Sequence, residues 1–249
     1  MKDKDSNNDK TDINKSGFFC FSKDRKYIIN LVICLLCFVG LLLVPSLIAI
    51  MLEKYVNTTI GGLIGDSVLI LIIVLLYYKD LVSEAKIYFR SFKSNFKYSF
   101  KIYLLGFMGM VFFNLIIITF LKNISANETQ VRELLYKNPV PTLINIAILA
   151  PILEELIFRK TLAPIIKNRW LYVIISGLLF GSAHILVNFI QGTFVVTDIA
   201  YIFPYMALGS SFALMDYNRK TTFCSIFIHA LHNSFTAVLL LVTYFAGGK

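Results

Sequence analysis

All three histidines of this chain lie in segments that are apolar enough to span a lipid bilayer, and a further such segment carries two glutamates and an arginine. Ionisable side chains are costly inside a membrane, by a few kcal/mol each on insertion scales, so we expect them to serve a function. Imidazole and carboxylate groups can transfer protons or bind metal ions. The pattern therefore predicts a polar site in the core of a membrane protein. The residues concerned are His184, His229, His232, Glu154, Glu155 and Arg159.

The composition supports a membrane protein and argues against the other broad classes. Of the 249 residues, 57% are hydrophobic and 16% are charged, which lies outside the range of soluble globular proteins. The net charge of +9 could indicate nucleic-acid binding. However, the basic residues cluster between apolar segments, where we expect them to face lipid headgroups, so we predict no nucleic-acid partner. Cys34 and Cys37 have C-x-x-C spacing only within an apolar helix, and we assign them no redox role.

Seven apolar segments have about the length that a membrane-spanning helix requires. We predict an all-α, polytopic membrane domain over residues 28–249, whose core at 140–246 carries the polar motifs. Residues 1–27 are polar and are predicted to form a disordered tail. Pro45 could break the first segment and create an eighth span, and Pro204 makes the sixth segment the least regular. The segments are 28–52, 60–78, 102–121, 140–166, 170–190, 199–215 and 222–246.

The distribution of basic residues predicts the orientation. If the N-terminus is cytoplasmic, 19 of the 24 lysines and arginines fall on the cytoplasmic side, as the positive-inside rule requires. Seven spans then place the C-terminus outside. Residues 79–101 interleave basic and aromatic side chains, which favours a helix at the cytoplasmic headgroups, although a solvated connector would have the same composition.

The first motif, Glu154-Glu155-x-x-x-Arg159, indicates a division of roles between its two carboxylates. Glu155 and Arg159 are four residues apart and can pair on one helix face. Glu154 is rotated by about 100° and has no cation at that spacing, so it is a candidate general base. Alternatively, the charges only end a helix at the interface. If the helix ended at Arg159, Glu154 would lie ~7.5 Å from its end, and if it continued to about residue 166, ~18 Å.

The other two motifs place imidazole and amide groups on separate spans. In Phe180-Gly-Ser-Ala-His184 the histidine has small neighbours, including Gly177 and Gly181, which would allow close approach of another helix. In His229-Ala-Leu-His232-Asn233 the first histidine and the asparagine are four residues apart and face the same way. A lone histidine can equally be a packing residue, and a membrane asparagine can simply join helices.

The three motifs, in this order and on separate spans, resemble those of the CAAX protease and bacteriocin-processing (CPBP, or Abi) family of intramembrane endopeptidases. The resemblance covers Glu154 to Asn233. His232 is not required by the pattern, and we leave it outside the expected site.

The resemblance implies hydrolysis of a peptide bond near the cytoplasmic face of the membrane. Glu154 and His184 would activate a water molecule, and His229 and Asn233 would stabilise the oxyanion. Glu155 and Arg159 would hold the geometry. We favour a site without a cofactor, although Glu154, His184 and His229 could in principle form a three-ligand zinc site.

Frequent lysine, asparagine and isoleucine indicate an AT-rich bacterial genome, so we expect a bacterial plasma-membrane protein. The expected partners are the lipid bilayer and a peptide or protein substrate, with bacterial peptide maturation or bacteriocin immunity as the role that the resemblance implies. The alternatives are a non-catalytic immunity or scaffold protein and a proton-coupled transporter or haem protein that uses intramembrane glutamate and histidine. The sequence leaves the natural substrate and the oligomeric state open.

Overall fold

The structure is a computed structural model that describes residues 27–122, 124–190 and 192–247, with the side chain of residue 187 left out. Almost all of the predicted tail, residues 1–27, lies outside these ranges. Within them the chain is helical and contains no strand. Its helices are α1 (Tyr27–Leu52), α2 (Thr58–Leu76), α3 (Tyr78–Arg90), α4 (Phe92–Leu121), α5 (Ala126–Lys137), α6 (Pro139–Thr161), α7 (Arg169–Ile190), α8 (Ile202–Arg219) and α9 (Phe223–Phe245).

Seven of these helices are long and apolar enough to cross a membrane, which confirms the predicted multi-pass all-α architecture. Many of their large apolar side chains face outward, among them Ile28, Leu36 and Ile50 of α1, each more than 60% exposed. Such an apolar surface would be unfavourable in contact with water, whereas it can contact lipid acyl chains at no such cost. The protein is therefore a multi-pass membrane protein.

Helix α1 is continuous, so the eighth span that a break at Pro45 would have created does not form. The neighbouring helix α2 approaches closely here, because a Cβ added at Gly65 would lie only 2.5 Å from the Pro45 Cα. The sixth span is not the least regular of the seven, contrary to the prediction from the sequence, because its α-helix is continuous over Ile202–Arg219 whereas the fourth span contains two π-helical segments. The sixth span begins with a 3-10 turn, Val196–Tyr201, and Pro204 then lies in the first turn of α8, where a missing backbone N–H is tolerated.

Residues 79–101 form two elements rather than one headgroup helix. The separate helix α3 buries Leu81, Glu84 and Tyr88 against the bundle, and residues 92–101 form the first turns of α4. We call the end of the bundle that carries α3 and the α8–α9 turn the α3 end. The opposite end, with α5 and the start of α6, is the α5 end.

The fourth span, α6, alternates between α-helical and π-helical turns. Its π-helical segments are Asn145–Leu149 and Leu156–Thr161, on either side of the α-helical turn that carries the two glutamates. Pro151 follows the first segment and accounts for it, because proline has no N–H and clashes with the carbonyl four residues earlier. π-Helical turns are rare and often occur at functional sites.

The fourth span ends at Thr161. The deeper placement of Glu154 required an end near residue 166, so the helix is shorter than that placement assumed. Arg159, Lys160 and Thr161 are nevertheless fully buried, because α3 and the turn after α6 cover this end of the helix. The expectation that Lys160 faces lipid headgroups is therefore wrong.

Helices α7 and α8 pack closely through small residues, as the glycines near His184 predicted. A Cβ added at Gly181 would lie 2.6 Å from the Ile202 carbonyl oxygen, and one added at Gly177 would lie 2.1 Å from the Ser210 Oγ. Only glycine allows this approach. It places the face of α7 that carries His184 directly against α8.

Candidate active site

Three buried ionisable side chains from α6 and α9 form the fixed part of the site. Glu155 Oε2 lies 3.0 Å from Arg159 Nε, and Glu155 Oε1 lies 2.8 Å from His229 Nδ1. The glutamate and the arginine are completely buried, and the histidine side chain is 4% exposed. The predicted pairing of Glu155 with Arg159 is therefore present. It extends to His229, 74 residues away in the sequence.

The arginine has further contacts that hold it in place. Its Nη2 donates a hydrogen bond of 2.9 Å to the Gly209 carbonyl oxygen in α8. Its guanidinium lies over the rings of Phe180 and Phe212, 4.6 and 5.4 Å from their centroids, within the range of cation–π attraction. Arg159 thus connects α6, α7 and α8 around one carboxylate.

Glu154 is placed quite differently from its neighbour Glu155. Its side chain is 21% exposed, and its Oε2 lies 3.8 Å from His229 Nε2, which is too long for a hydrogen bond. This oxygen has no hydrogen-bond partner among the described residues. Because His229 Nδ1 faces a carboxylate that can only accept, Nδ1 carries a proton and Nε2 is the atom directed toward Glu154.

His184 completes the group from α7. Its Nδ1 lies 2.7 Å from the Phe180 carbonyl oxygen. Since a carbonyl only accepts hydrogen bonds, Nδ1 carries the proton and Nε2 of the neutral ring is the acceptor. The ring stacks on Tyr205 of α8 with centroids 4.0 Å apart. The Tyr205 hydroxyl contacts Ser125 Oγ and Asn127 Nδ2 at 3.1 and 3.2 Å, which connects His184 to α5.

Asn233 is held by the π-helical segment of α6. Its Nδ2 donates to the Ile146 carbonyl oxygen at 3.1 Å. In a π-helical turn this carbonyl would accept from residue 151, but Pro151 has no N–H to donate. The asparagine therefore donates a hydrogen bond to a carbonyl oxygen that the proline cannot satisfy. Its amide has a second N–H that this bond does not use.

Glu154, His184, His229 and Asn233 line one cavity of about 590 Å³, a volume within the usual range for small-ligand sites. The fully buried Glu155 and Arg159 lie behind its wall. The cavity reaches from these groups toward the α5 end, where Ser125, Asn127, Glu128 and Arg132 line it. It does not extend toward the basic α3 end, where the sequence analysis expected the site.

Several residues of the cavity were not expected from the sequence. His232, which we left out of the site, also lines the cavity, and its Nδ1 lies 3.0 Å from the Tyr103 hydroxyl. Asn145 lines the cavity too and donates to Asp66 of α2 at 2.6 Å. Tyr103 and Asp66 lie far from the motifs in the sequence. An aspartate within an apolar segment was the one signal that could have singled out Asp66.

Comparison with known proteins bears on the same region. Residues 136–235 match the family model "Type II CAAX prenyl endopeptidase Rce1-like". The chain is also 27% identical over 120 residues to the protein named "Putative membrane peptidase YdiL" of Bacillus subtilis (strain 168). Over residues 136–235 the chain is similar to the CPBP family. The aligned part is 47% of this chain and 44% of the relative, so the chain spans less than half of that protein. No solved structure matches the chain.

The family match covers every CPBP motif residue, from Glu154 to Asn233, and leaves out α1 to α4. The N-terminal helices still take part in the fold around the site. Helix α3 covers the end of α6, and α4 supplies Phe107, Met110 and Asn114 to the cavity wall.

The expected zinc ligands do not form a metal-binding group in this arrangement. Within the described ranges, no three histidine, cysteine, aspartate or glutamate side chains are arranged to hold a metal ion. The Nδ1 atoms of His184 and His229 are engaged by Phe180 and Glu155. A histidine held through Nδ1 in this way can still bind a metal through Nε2, so a site without a cofactor stays a prediction, and we derive no step through a metal.

Proposed function

We propose that this protein is an intramembrane endopeptidase that hydrolyses a peptide bond of a membrane-associated peptide or protein with a glutamate-activated water. The observation that carries the proposal is the Glu154 carboxylate, which lacks a hydrogen-bond partner among the described residues and shares a cavity with two imidazoles. The family match at residues 136–235 supports the same reaction class.

In the proposed reaction, Glu154 is the general base. A water molecule between Glu154 and the His184 Nε2 loses a proton to the carboxylate while its oxygen attacks the carbonyl carbon of the substrate. The second hydrogen of the water is held by Nε2, which is an acceptor because Nδ1 of this ring is bound to the Phe180 carbonyl. The C–N bond then breaks, and the proton on Glu154 is transferred to the leaving amine.

The oxyanion that forms in the first step is stabilised by His229 and Asn233. In the proposed mechanism His229 acts in its doubly protonated form: its Nδ1 contacts Glu155 at 2.8 Å, and its Nε2–H donates to the oxyanion. The second N–H of the Asn233 amide is the other donor. Donors fixed in this way need not reorganise when the charge develops.

Glu155 and Arg159 are positioning residues that do not touch the substrate in this proposal. Both are completely buried, and Glu155 sets the direction of the His229 ring. The arginine in turn balances the charge of the glutamate. Without it, the carboxylate would be an uncompensated buried charge.

The test is cleavage of a membrane peptide by the purified protein. Glu154→Ala, His184→Ala and His229→Ala are each expected to abolish turnover while the protein remains folded, as shown by circular dichroism and gel filtration. Exposed Lys93 lies outside the cavity lining, and Lys93→Ala is the matched control with unchanged turnover. Turnover retained in all three site variants would refute the proposal and favour a non-catalytic immunity or scaffold protein.

The natural location and partners belong to the same proposal. Seven spans and a basic N-terminal end support a bacterial plasma-membrane protein whose N-terminus is cytoplasmic. The substrate would be a bacterial peptide precursor or membrane protein, with peptide maturation or bacteriocin immunity as its biological role.

A further inference from the structure

The lining of the cavity extends toward one end of the bundle only. From Glu154 it extends along α4, α6, α8 and α9 to the turn before α5 and to α5 itself. Its polar lining at that end includes Ser125, Asn127, Glu128 and Arg132. No residue of α3, of the α6–α7 turn or of the α8–α9 turn lines it, although all three segments are described.

The α3 end is closed by buried polar contacts. Lys160 pairs with Glu84, and both side chains are completely buried. The second carboxylate oxygen of Glu84 accepts a hydrogen bond of 2.7 Å from the Thr222 backbone N–H. Nearby, Asp216 accepts two hydrogen bonds from Ser225. These contacts join α3, α6, α8 and α9 beneath the site, so a peptide could enter from this side only if they broke.

The closed end is also the basic end. Twelve of the sixteen lysines and arginines in the described ranges lie in its half of the bundle, and seven more precede α1 in the sequence. Arg159 and Lys160 are buried in ion pairs, but the asymmetry remains without them. Of the described lysines and arginines, Lys54, Lys122, Arg132 and Lys137 lie at the α5 end. By the positive-inside rule, the α3 end is cytoplasmic and the α5 end is extracytoplasmic.

We infer that the cavity opens to the extracytoplasmic side and admits peptide segments presented there, such as a translocated peptide or the outer juxtamembrane segment of a membrane protein. A cytoplasmic N-terminus and cleavage near the cytoplasmic face cannot both hold for this bundle, because the cavity and the basic end lie on opposite sides. The access route stands on the geometry and charge alone, whereas cleavage of such segments rests on the proposed function.

Access is tested by cysteine labelling in intact cells with a membrane-impermeant maleimide. Thr129→Cys at the α5 end and Ala150→Cys in the cavity wall are expected to be labelled without permeabilisation. Lys93→Cys at the α3 end is expected to be labelled only afterwards. All variants are made in a chain carrying Cys20→Ser, which alone is the background control, because the other cysteines, Cys34, Cys37 and Cys224, are buried. Labelling of Ala150→Cys only when the reagent reaches the cytoplasm would overturn the inference.

Substrate sidedness is tested with two single-span reporters that carry the same cleavable sequence, one on the outer and one on the inner side of the span. We expect cleavage of the outer reporter only, and loss of that cleavage in the Glu154→Ala protein. Cleavage of the inner reporter alone would overturn the inference. If neither reporter were cut, the proposed hydrolysis would fail, whereas the labelling pattern would still decide the access route.

Discussion

The adjacent residues Glu154 and Glu155 should respond in opposite ways to the same substitution. Glu155→Gln keeps the size of the side chain but removes the charge that Arg159 and His229 face at 3.0 and 2.8 Å. Arg159 would then be a fully buried cation without an anionic partner at position 155, next to the Gly209 carbonyl and the rings of Phe158, Phe180 and Phe212. Breaking a buried ion pair in this way costs about 3–5 kcal/mol, and we expect a loss of stability of that size.

Glu154→Gln should leave stability nearly unchanged and abolish cleavage. The Glu154 side chain is 21% exposed and lies 3.8 Å from the His229 imidazole, too far for a hydrogen bond, so the substitution should change the free energy of unfolding by about 1 kcal/mol or less. Loss of a general base typically lowers the rate by about 10²–10⁴-fold.

The assay is equilibrium unfolding of each protein in mixed micelles by titration with SDS, combined with turnover of a cleavable membrane peptide at saturating substrate. The decisive quantity is the difference between the two variants, because the residues share a helix turn and the substitutions are chemically identical. If Glu154→Gln destabilised the protein as much as Glu155→Gln, or if only Glu155→Gln lost turnover, the assignment of roles would be refuted.

Three further predictions concern packing, the stacked tyrosine and metal ions. Gly181→Val should destabilise the protein by about 1–3 kcal/mol in the same unfolding assay, because a Cβ there would lie 2.6 Å from the Ile202 carbonyl oxygen. Gly62→Val is the control, since a Cβ at Gly62 would meet nothing within 4 Å. Equal losses of stability in the two variants would contradict this account of α7–α8 packing. Tyr205→Phe should lower the free energy of unfolding by about 1 kcal/mol, because its hydrogen bonds are lost, and should keep turnover. Tyr205→Ala should lower turnover, because His184 loses its stacking partner. Equal turnover in the two variants would argue against a role of the stacking in catalysis. Dialysis against EDTA or 1,10-phenanthroline should leave the cleavage rate unchanged within about twofold, and a tenfold loss restored by Zn²⁺ would overturn the metal-free assignment.

Local spacing predicted the parts of the site that depend on one helix. Glu155 and Arg159 pair because four residues complete about one helical turn. The contact between Glu155 and His229 was not predictable, since it joins residues 74 positions apart and depends on how α6 and α9 pack. The sequence could indicate that the motifs meet, but not which carboxylate would hold the imidazole.

The buried Glu84–Lys160 pair shows a second limit of the sequence. The segment around Glu84 mixes charged and aromatic residues, which is the composition of a surface helix. Lys160, at the end of an apolar span, is equally typical of an interfacial cation. Each residue alone fits the exposed interpretation, and only their mutual contact makes complete burial of both possible.

The π-helical segments of α6 were also beyond prediction, although Pro151 was visible. A proline in a membrane helix can cause a kink, a break or a π-helical turn. Which one forms depends on partners that can take the released carbonyls. In the first π-helical segment Asn233 donates a hydrogen bond to the Ile146 carbonyl. In the second segment Ser176 and Tyr172 donate to the carbonyls of Phe158 and Arg159.

The closure of the α3 end has an electrical consequence. A hydrated cavity open at one end brings the potential of that aqueous phase into the middle of the bilayer, so the transmembrane voltage falls mainly across the remaining half of the bundle. An uncompensated charge moved through the full voltage would change in energy by about 2.3 kcal/mol per 100 mV. The ions held there, Glu84 with Lys160 and Glu155 with Arg159, form neutral pairs. The transmembrane voltage therefore exerts no net force on either of these two buried pairs.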